Sequence, residues 1–182
     1  MNIFVLSEDP VVAAQLQCDK HIVKMILESA QMLSTAHRLL DGTMTVGKSK
    51  SGRSAKVWSL PDSREDKLYK AVHVGHPCTI WTMESAENYK WHFDHFVALH
   101  DEYQFRYGKQ HKSFVDLAHI LESVPNSIPS VPMTPFKLAM GAAPECINEN
   151  DPVGSYRSFY KTKQKRFEMK WTKRAVPAWF AA

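Results

Sequence analysis

The sequence predicts an all-α fold, a mainly helical single domain over residues 1–182 with five to six helices. A length of 182 residues suits one domain with a sizeable core. Apolar residues recur at helical spacing through most of the chain, and several segments begin or end with helix-capping signals. Only residues 2–6, NIFVL, form a short apolar run typical of a buried strand or extended segment. Two long loops, residues 43–62 and 125–150, complete the prediction.

Two helices are predicted in the first 42 residues. The run SEDP at residues 7–10 supplies an N-cap, two acids and an early proline, so a first helix is expected over residues 9–17. The chain then bends or breaks near Cys18. A long amphipathic helix follows to about Leu40, where a glycine signal at Gly42 ends it.

The remaining elements are predicted from the same signals. The helices are a short capped helix over residues 62–72, a long one over 79–107 that ends at Gly108, one over 111–124 and a final one over 151–171. The loop of residues 43–62 is rich in Ser, Gly and Lys and has no helical period. Its segment GKSKSGR at 47–53 lacks the P-loop spacing, so a functional role would be that of a flexible arm that contacts a nucleic-acid backbone.

Charge is unevenly distributed along the chain. The net charge is +4, but residues 151–182 hold eight basic and two acidic residues, a net +6, which leaves −2 for residues 1–150. A basic C-terminal helix indicates either a contact for a polyanion or a solvated helix face. The chain has no apolar run of about 20 residues, so no membrane partner is expected. Three isolated cysteines fit a reducing cytoplasm, which is the predicted location.

An orderly polar stripe runs along the long helix predicted after Cys18. At 100° per residue, His21, Lys24, Glu28 and Gln31 fall on one narrow side, opposite a broad apolar side. The stripe has two interpretations. Lys24 and Glu28, four residues apart, form a solvent-facing ion pair, or else they place an amine beside a carboxylate, as imine chemistry requires.

Two further groups have a structural and a functional interpretation each. His76 lies at the mouth of a predicted helix, where it either binds a phosphate or caps the turn. Trp81, Asn88 and His92 share one sector of the following helix with Glu84 and His95. They either pack in the core or contact a substrate, with an aromatic ring that stacks on a base. No metal-binding signature accompanies these histidines, so neither a metal nor a cofactor is expected.

An ordered set of residues in the first half of the chain resembles a known family. Asp19, Ile22, Lys24, Glu28, Gln31 and Leu33 follow the spacing D-x-x-[IL]-x-K-x-x-x-E-x-x-Q-x-L. The segment M-x-x-F-x-L at the N-terminus, His76-Pro77 before Trp81, and Tyr107-Gly108 accompany it. Together they resemble the pyrimidine-dimer DNA glycosylases of the phage endonuclease V group, and a group of uncharacterised phage proteins. The resemblance covers residues 1–110, the glycosylase-like core, and residues 111–182 add helices, including the basic one.

The resemblance implies a compact all-α enzyme that acts on DNA. Such enzymes attack the sugar C1′ with an N-terminal α-amine, a carboxylate on the first long helix assists, and the imine permits strand cleavage. Carried onto this chain, the carboxylate is Glu28. Asn2 departs from the small residue that the family exposes after removal of Met, so the nucleophile is the Met1 amine or Lys24, or glycosylase activity is absent.

If the protein acts on DNA, further residues have expected roles. His21, Gln31, His76, Trp81, Asn88 and His92 are the expected substrate contacts, and Lys161, Lys165, Arg166 and Lys173 the expected contacts to the DNA backbone. If the protein is phage-encoded, the host cytoplasm is its expected location. Two alternatives stay open: a non-catalytic nucleic-acid-binding or host-takeover protein on the same scaffold, and an enzyme that acts on a small nucleotide. The α-amine mechanism requires the Met1 nitrogen and Glu28 to share one cleft.

Overall fold

The prediction of an all-α fold is wrong, because part of the chain forms a β-sheet. The computed structural model describes residues 1–48 and 52–181. These residues form seven α-helices and one antiparallel two-stranded sheet. The helices are α1 (Pro10–Gln15), α2 (Asp19–Asp41), α3 (Pro77–Glu84), α4 (Ala86–Tyr107), α5 (Lys112–Leu121), α6 (Pro152–Lys161) and α7 (Ala178–Ala181). None of the helices in the described ranges combines the length and the apolar character needed to cross a bilayer.

The first two helices form where their capping residues predict. The Asp9 side chain accepts hydrogen bonds from the backbone N–H groups of Val11 and Val12, and Pro10 occupies the first turn of α1. Helix α2 buries its apolar side and contacts α3, α4 and α5, so it lies at the centre of the core. It ends at Gly42, where a Cβ atom would lie 2.4 Å from the carbonyl oxygen of Arg38.

The predicted loop of residues 43–62 contains a β-hairpin. Strand β1 (Thr43–Lys48) pairs with β2 (Ser54–Ser59) in antiparallel register, with Thr43 opposite Ser59 and Lys48 opposite Ser54. Most of its side chains are exposed or half-buried, so neither face has the buried apolar alternation that identifies a strand in a sequence. Residues 49–51, within the segment predicted to be an arm, lie outside the described residues.

The helix predicted over residues 62–72 is also wrong, and Arg38 explains why. The buried guanidinium of Arg38 donates to the carbonyl oxygens of Glu65, Leu68 and Tyr69 at 2.6–2.8 Å. It also donates to the carbonyl oxygen of Trp58 at 3.0 Å, and it pairs with the Glu65 carboxylate. Carbonyl groups that point at Arg38 cannot bond along a helix, so the segment forms turns that hold the base of the hairpin.

Two long predicted helices are shorter in the structure. The helix of residues 79–107 is split at Ser85, which has extended backbone angles and caps α4 by accepting from the Asn88 N–H at 3.0 Å. The final helix ends at Lys161, and a 3₁₀ turn over Thr162–Lys165 follows. The chain then folds back because Trp171 donates through its ring N–H to the carbonyl oxygen of Leu16 at 2.9 Å.

The N-terminal segment of residues 2–6 is buried and irregular, without a strand partner among the described residues. Phe4 has φ of 55°, in the left-handed region that non-glycine residues rarely adopt. Its ring stacks on His21 at 4.7 Å and meets the Tyr160 ring edge-on at 5.0 Å. This packing offsets a conformation that costs about 1–3 kcal/mol, and the turn brings the N-terminus against α2.

Candidate active site

The cleft that holds the predicted catalytic residues lies between the N-terminus, α2 and the 3₁₀ turn after α6. Its volume is about 270 Å³. Twelve residues line it: Met1, Asn2, Phe4, His21, Lys24, Met25, Glu28, Ala139, Phe159, Lys163, Arg166 and Phe167. The lining combines four kinds of chemical group: aromatic rings, cationic side chains, one carboxylate and one terminal amine.

Glu28 is the only carboxylate among these lining residues, and it lies between two amines. Its Oε2 is 3.3 Å from the Met1 nitrogen and accepts the backbone N–H of Asn2 at 2.9 Å. Its Oε1 is 3.1 Å from the Nζ of Lys24, one helical turn earlier. The Glu28 side chain is 10% exposed, so it faces the cleft and not open water. The carboxylate can therefore exchange a proton with either amine.

Asn2 and Met1 fix the position of the terminal amine. The Asn2 side chain donates to the carbonyl oxygen of Ala139 at 2.8 Å and accepts the N–H of Phe4 at 2.9 Å. The Met1 side chain is 3% exposed, although the residue as a whole is partly exposed. The accessible surface of Met1 is therefore mainly backbone, with the thioether chain packed inward as an anchor.

His76 lies behind the terminal amine and does not line the cleft. Its Nδ1 accepts the backbone N–H of Cys78 at 3.2 Å, as the capping interpretation expected. Burial lowers the His76 pKa, and the positive N-terminus lowers it further, while a hydrogen bond to the Met1 backbone opposes these effects. His76 thus supports Met1, and its predicted contact with substrate has no geometric basis here.

His21 lines the cleft as a neutral imidazole. Burial, with the nearby charges of Lys24 and Lys163, lowers its pKa to about 4. Its Nδ1 lies 2.6 Å from the Tyr160 hydroxyl oxygen, which also accepts the N–H of Cys18 at 2.9 Å. These contacts hold the ring in one orientation on the wall of the cleft.

The basic residues predicted to contact a DNA backbone fall at different places. Arg166 lines the cleft, and Lys165 lines an adjoining cleft of about 200 Å³ that shares Lys163 and Arg166 with the first. Lys161 is the last residue of α6. Lys173 donates to the carbonyl oxygen of Phe105 at 2.9 Å and lines neither cleft.

Lys163 is a cleft residue that the sequence reasoning missed. Its Nζ lies 3.4 Å from the centroid of the Phe159 ring and 5.9 Å from that of Phe4. A signal was available in the sequence, since Lys163 precedes Arg166 by three residues, a spacing that puts two side chains on one side of either an α-helix or a 3₁₀ turn.

Three predicted substrate contacts are core residues, which corrects the prediction. Trp81 is 1% exposed and donates through its ring N–H to the carbonyl oxygen of Thr134 at 3.1 Å. Asn88 donates to the Trp81 carbonyl oxygen at 2.7 Å, and His92 lies 2.7 Å from the Thr82 hydroxyl. Burial lowers the His92 pKa to about 3. Their polar atoms serve packing, as the alternative interpretation held.

Two other residues that the sequence pattern singled out lie outside the cleft. Gln31 is partly exposed on α2 and does not line the cleft. His95, weighed as a metal ligand with His92, has its Nδ1 2.9 Å from the Pro10 carbonyl oxygen. In residues 1–48 and 52–181, no group of three or more His, Cys, Asp and Glu side chains is placed to hold a metal ion.

A larger cleft, of about 490 Å³, lies between α1 and α4. Its lining includes Asp94, Asp101 and Glu102, with Arg174 paired to Glu102 at 2.7 Å. Its lining has no free amine beside a carboxylate, and its acidic residues repel a polyanion. The smaller cleft around Met1 and Glu28 is therefore the better candidate for chemistry.

Comparisons of the chain with protein-family models, with curated proteins and with solved structures found no match. The function of this chain is consequently inferred from the geometry of the cleft and from the residues that line it.

Proposed function

We propose that this protein is a DNA glycosylase with an associated abasic-site lyase activity, in which the Met1 amine is the nucleophile and Glu28 transfers protons. The observation that carries the proposal is the 3.3 Å separation of the Met1 nitrogen and the Glu28 Oε2. The two groups share a cleft with three cationic side chains, those of Lys24, Lys163 and Arg166. An amine, a carboxylate and a positive lining are the parts that imine formation on a nucleic-acid sugar needs.

The chemistry proceeds from a neutral amine. The nitrogen of Met1 attacks C1′ of the damaged nucleotide, and the bond from C1′ to the base breaks as the base departs with the electron pair and takes up a proton from water. Glu28 accepts a proton from the attacking nitrogen and delivers it to the sugar ring oxygen as the ring opens to an imine. Loss of a proton from C2′ then expels the phosphate at C3′, which cleaves the strand.

Met1 suits the role of nucleophile better than Lys24 does. Terminal amines ordinarily titrate near pH 7.7–8.0 and lysine amines near 10.4, so a terminal amine is more often neutral at physiological pH. The Lys24 side chain is 63% exposed, whereas the Met1 side chain is 3% exposed and anchored. In the proposal, Lys24 contributes positive charge at the mouth of the cleft.

Two features support DNA as the partner. The cleft volume of about 270 Å³ accommodates one nucleotide and not a duplex, which suits an enzyme that extrudes its target from the stack. The hairpin region supplies charge, because residues 43–60 contain four basic and no acidic residues: Lys48, Lys50, Arg53 and Lys56. A two-stranded ribbon fits the major groove of DNA, so we assign the hairpin to the flanking duplex.

The three cysteines are buried free thiols. We propose that the protein acts in the cytoplasm, where thiols stay reduced.

The test is strand cleavage of an end-labelled duplex with one abasic site, followed by duplexes that each contain one damaged base. The proposal expects cleavage at the abasic site without added metal, and base release from at least one lesion. The N-terminal mass of the protein is measured in the same sample, because the amine has to be free. No cleavage by a folded protein with a free Met1 amine contradicts the proposal, and salt-dependent DNA binding without cleavage then favours the non-catalytic alternative.

A further inference from the structure

A pair of cations at one end of the cleft has no role in the proton transfers described above. Lys163 and Arg166 lie three residues apart, and the carbonyl oxygen of Lys163 accepts the Arg166 N–H at 2.9 Å within the 3₁₀ turn. Side chains at positions i and i+3 of such a turn lie one above the other. The two side chains line the cleft that holds the Met1 amine and also the adjoining cleft of about 200 Å³.

These two cations lack a carboxylate partner. Within the described residues, neither side chain forms an ion pair, although Glu145 lines the adjoining cleft. Burial lowers the Lys163 pKa, and the charges of Arg166 and Lys24 lower it further. Like charges held this close repel each other, so an anion bound between them is stabilised by both.

The aromatic lining fixes where such an anion binds. The Lys163 ammonium lies 3.4 Å from the Phe159 ring centroid, so its alkyl stem and charge are held at the wall and not extended into solvent. An arginine fork and a lysine point charge are the two side chains that most often bind phosphate. The site therefore offers a phosphate two cations in the same cleft as the nucleophile.

We propose that Lys163 and Arg166 form a phosphate subsite, and that the protein accepts a phosphorylated deoxyribose in its aldehyde form as a substrate, within DNA or free. The subsite holds the phosphate ester while the sugar C1 reaches the Met1 amine. The inference rests on the proposed function for its nucleophile. It adds that the recognised unit is the sugar phosphate, without a base or a second strand.

The covalent step is an ordinary condensation. The Met1 amine adds to the aldehyde carbon of the open-chain sugar, the new C–N bond forms, and the aldehyde oxygen leaves as water with both amine protons, which gives an imine. Added borohydride supplies a hydride that reduces the C=N bond to a stable secondary amine. The mass of the intact protein then reports how much imine had formed.

The experiment compares two small aldehydes that differ only in the phosphate: 2-deoxyribose 5-phosphate and 2-deoxyribose. The protein is incubated with each in the presence of borohydride, and adducts are measured by intact mass. The phosphorylated sugar is expected to react at least about tenfold faster, since a charge-assisted contact contributes that much to binding. Inorganic phosphate is expected to slow the reaction of the phosphorylated sugar only.

Matched variants assign the preference to the subsite. Lys163→Met keeps the packing stem and is expected to bring the ratio of the two rates towards one, while Lys163→Arg preserves the preference. Lys112→Met removes the same charge from an exposed side chain on α5 and is expected to leave the ratio unchanged. The melting temperature of each variant is measured first to show that it is folded. Competition by inorganic phosphate is measured in the unaltered protein, so it tests the subsite even if a variant does not fold.

Each result bears on the inference. Equal rates for the two sugars in the unaltered protein overturn it, and so does an undiminished preference in Lys163→Met. Adducts with an abasic duplex but with neither free sugar overturn the inference and leave the proposed function standing. If none of the three substrates forms an adduct, the proposed function itself is overturned.

Discussion

Replacement of Glu28 by Gln exchanges one carboxylate oxygen for an NH₂ group and removes the negative charge between the two amines. Of the three contacts, only the hydrogen bond from the Asn2 N–H, 2.9 Å long, survives, because an amide oxygen still accepts it. The Met1 nitrogen at 3.3 Å and the Lys24 Nζ at 3.1 Å lose their counter-charge. The shape of the cleft is otherwise retained.

The two consequences of this substitution differ in size. Hydrogen bonds to charged groups contribute about 1.5–3 kcal/mol, and an exposed pair four residues apart about 0.3–0.5 kcal/mol. The free energy of unfolding should fall by about 2 kcal/mol, which lowers the melting temperature by about 4–8 °C in a chain of this size. Proton transfer by a positioned group contributes about 10²–10⁴-fold, so the single-turnover rate constant for strand cleavage should fall at least about 100-fold.

The assay is single-turnover cleavage of an abasic duplex well below the melting temperature of both proteins. Glu87→Gln is the matched control, since Glu87 is an exposed carboxylate on α4 that pairs with Lys90 at 2.8 Å. The control should retain the cleavage rate within about twofold, since it lies outside the cleft. If folded Glu28→Gln cleaves at more than about a third of the unaltered rate, proton transfer by Glu28 is refuted.

Three further predictions follow from the described contacts. A glycine added before Met1 converts its amine into an amide and displaces the new amine by one residue, so cleavage should fall at least about 100-fold, and loss of the charge beside Glu28 should lower the melting temperature by no more than Glu28→Gln does. Replacement of Lys48 and Lys56 by Gln should lower the slope of log Kd against log salt by up to about 2 for a duplex, and an unchanged slope would remove the hairpin from the interface. Buried neutral histidines should make the protein acid-labile. Burial lowers the pKa of His21, His37 and His95 to about 4 and that of His92 to about 3. Since the unfolded chain binds these protons near pH 6.5, the free energy of unfolding should fall as pH drops from about 6.5 to 4, by up to about 1.4 kcal/mol per pH unit for each ring. Urea unfolding at pH 7.5 and 5 measures this, and equal stability at both values would contradict it.

The helices that carry local signals were predictable from the sequence. The Asp9 cap with Pro10 begins α1, and Gly42 ends α2, because caps and glycine act within one turn of the chain. The split at Ser85 also has a local signal, a serine three residues before Asn88, but a continuous apolar pattern obscured it.

The elements that were mispredicted depend on distant contacts or lack a buried face. Arg38 holds residues 65–69 in turns from a position 27 or more residues away. The hairpin strands contain β-branched residues, but the Ser, Gly and Lys between them and the exposed faces of both strands hid the pairing.

The candidate site was predictable in part. The periodicity of α2 put His21, Lys24 and Glu28 on one stripe, and all three line the cleft. Periodicity could not show that the left-handed turn at Phe4 would bring Met1 over Glu28, since no local pattern encodes that contact. Trp81 lies on α3, whereas Asn88 and His92 lie on α4, and a sector shared in the sequence pattern does not reveal whether it faces a cleft or the core.

If the Met1 amine forms the covalent intermediate, the new bond lies on its nitrogen, and the position of that bond can be determined. The protein is incubated with an abasic duplex and borohydride, digested with protease and nuclease, and the modified peptide is sequenced by mass spectrometry. We predict a reduced sugar adduct on the nitrogen of Met1. An adduct on Lys24, or no adduct from a protein that cleaves the duplex, would contradict it.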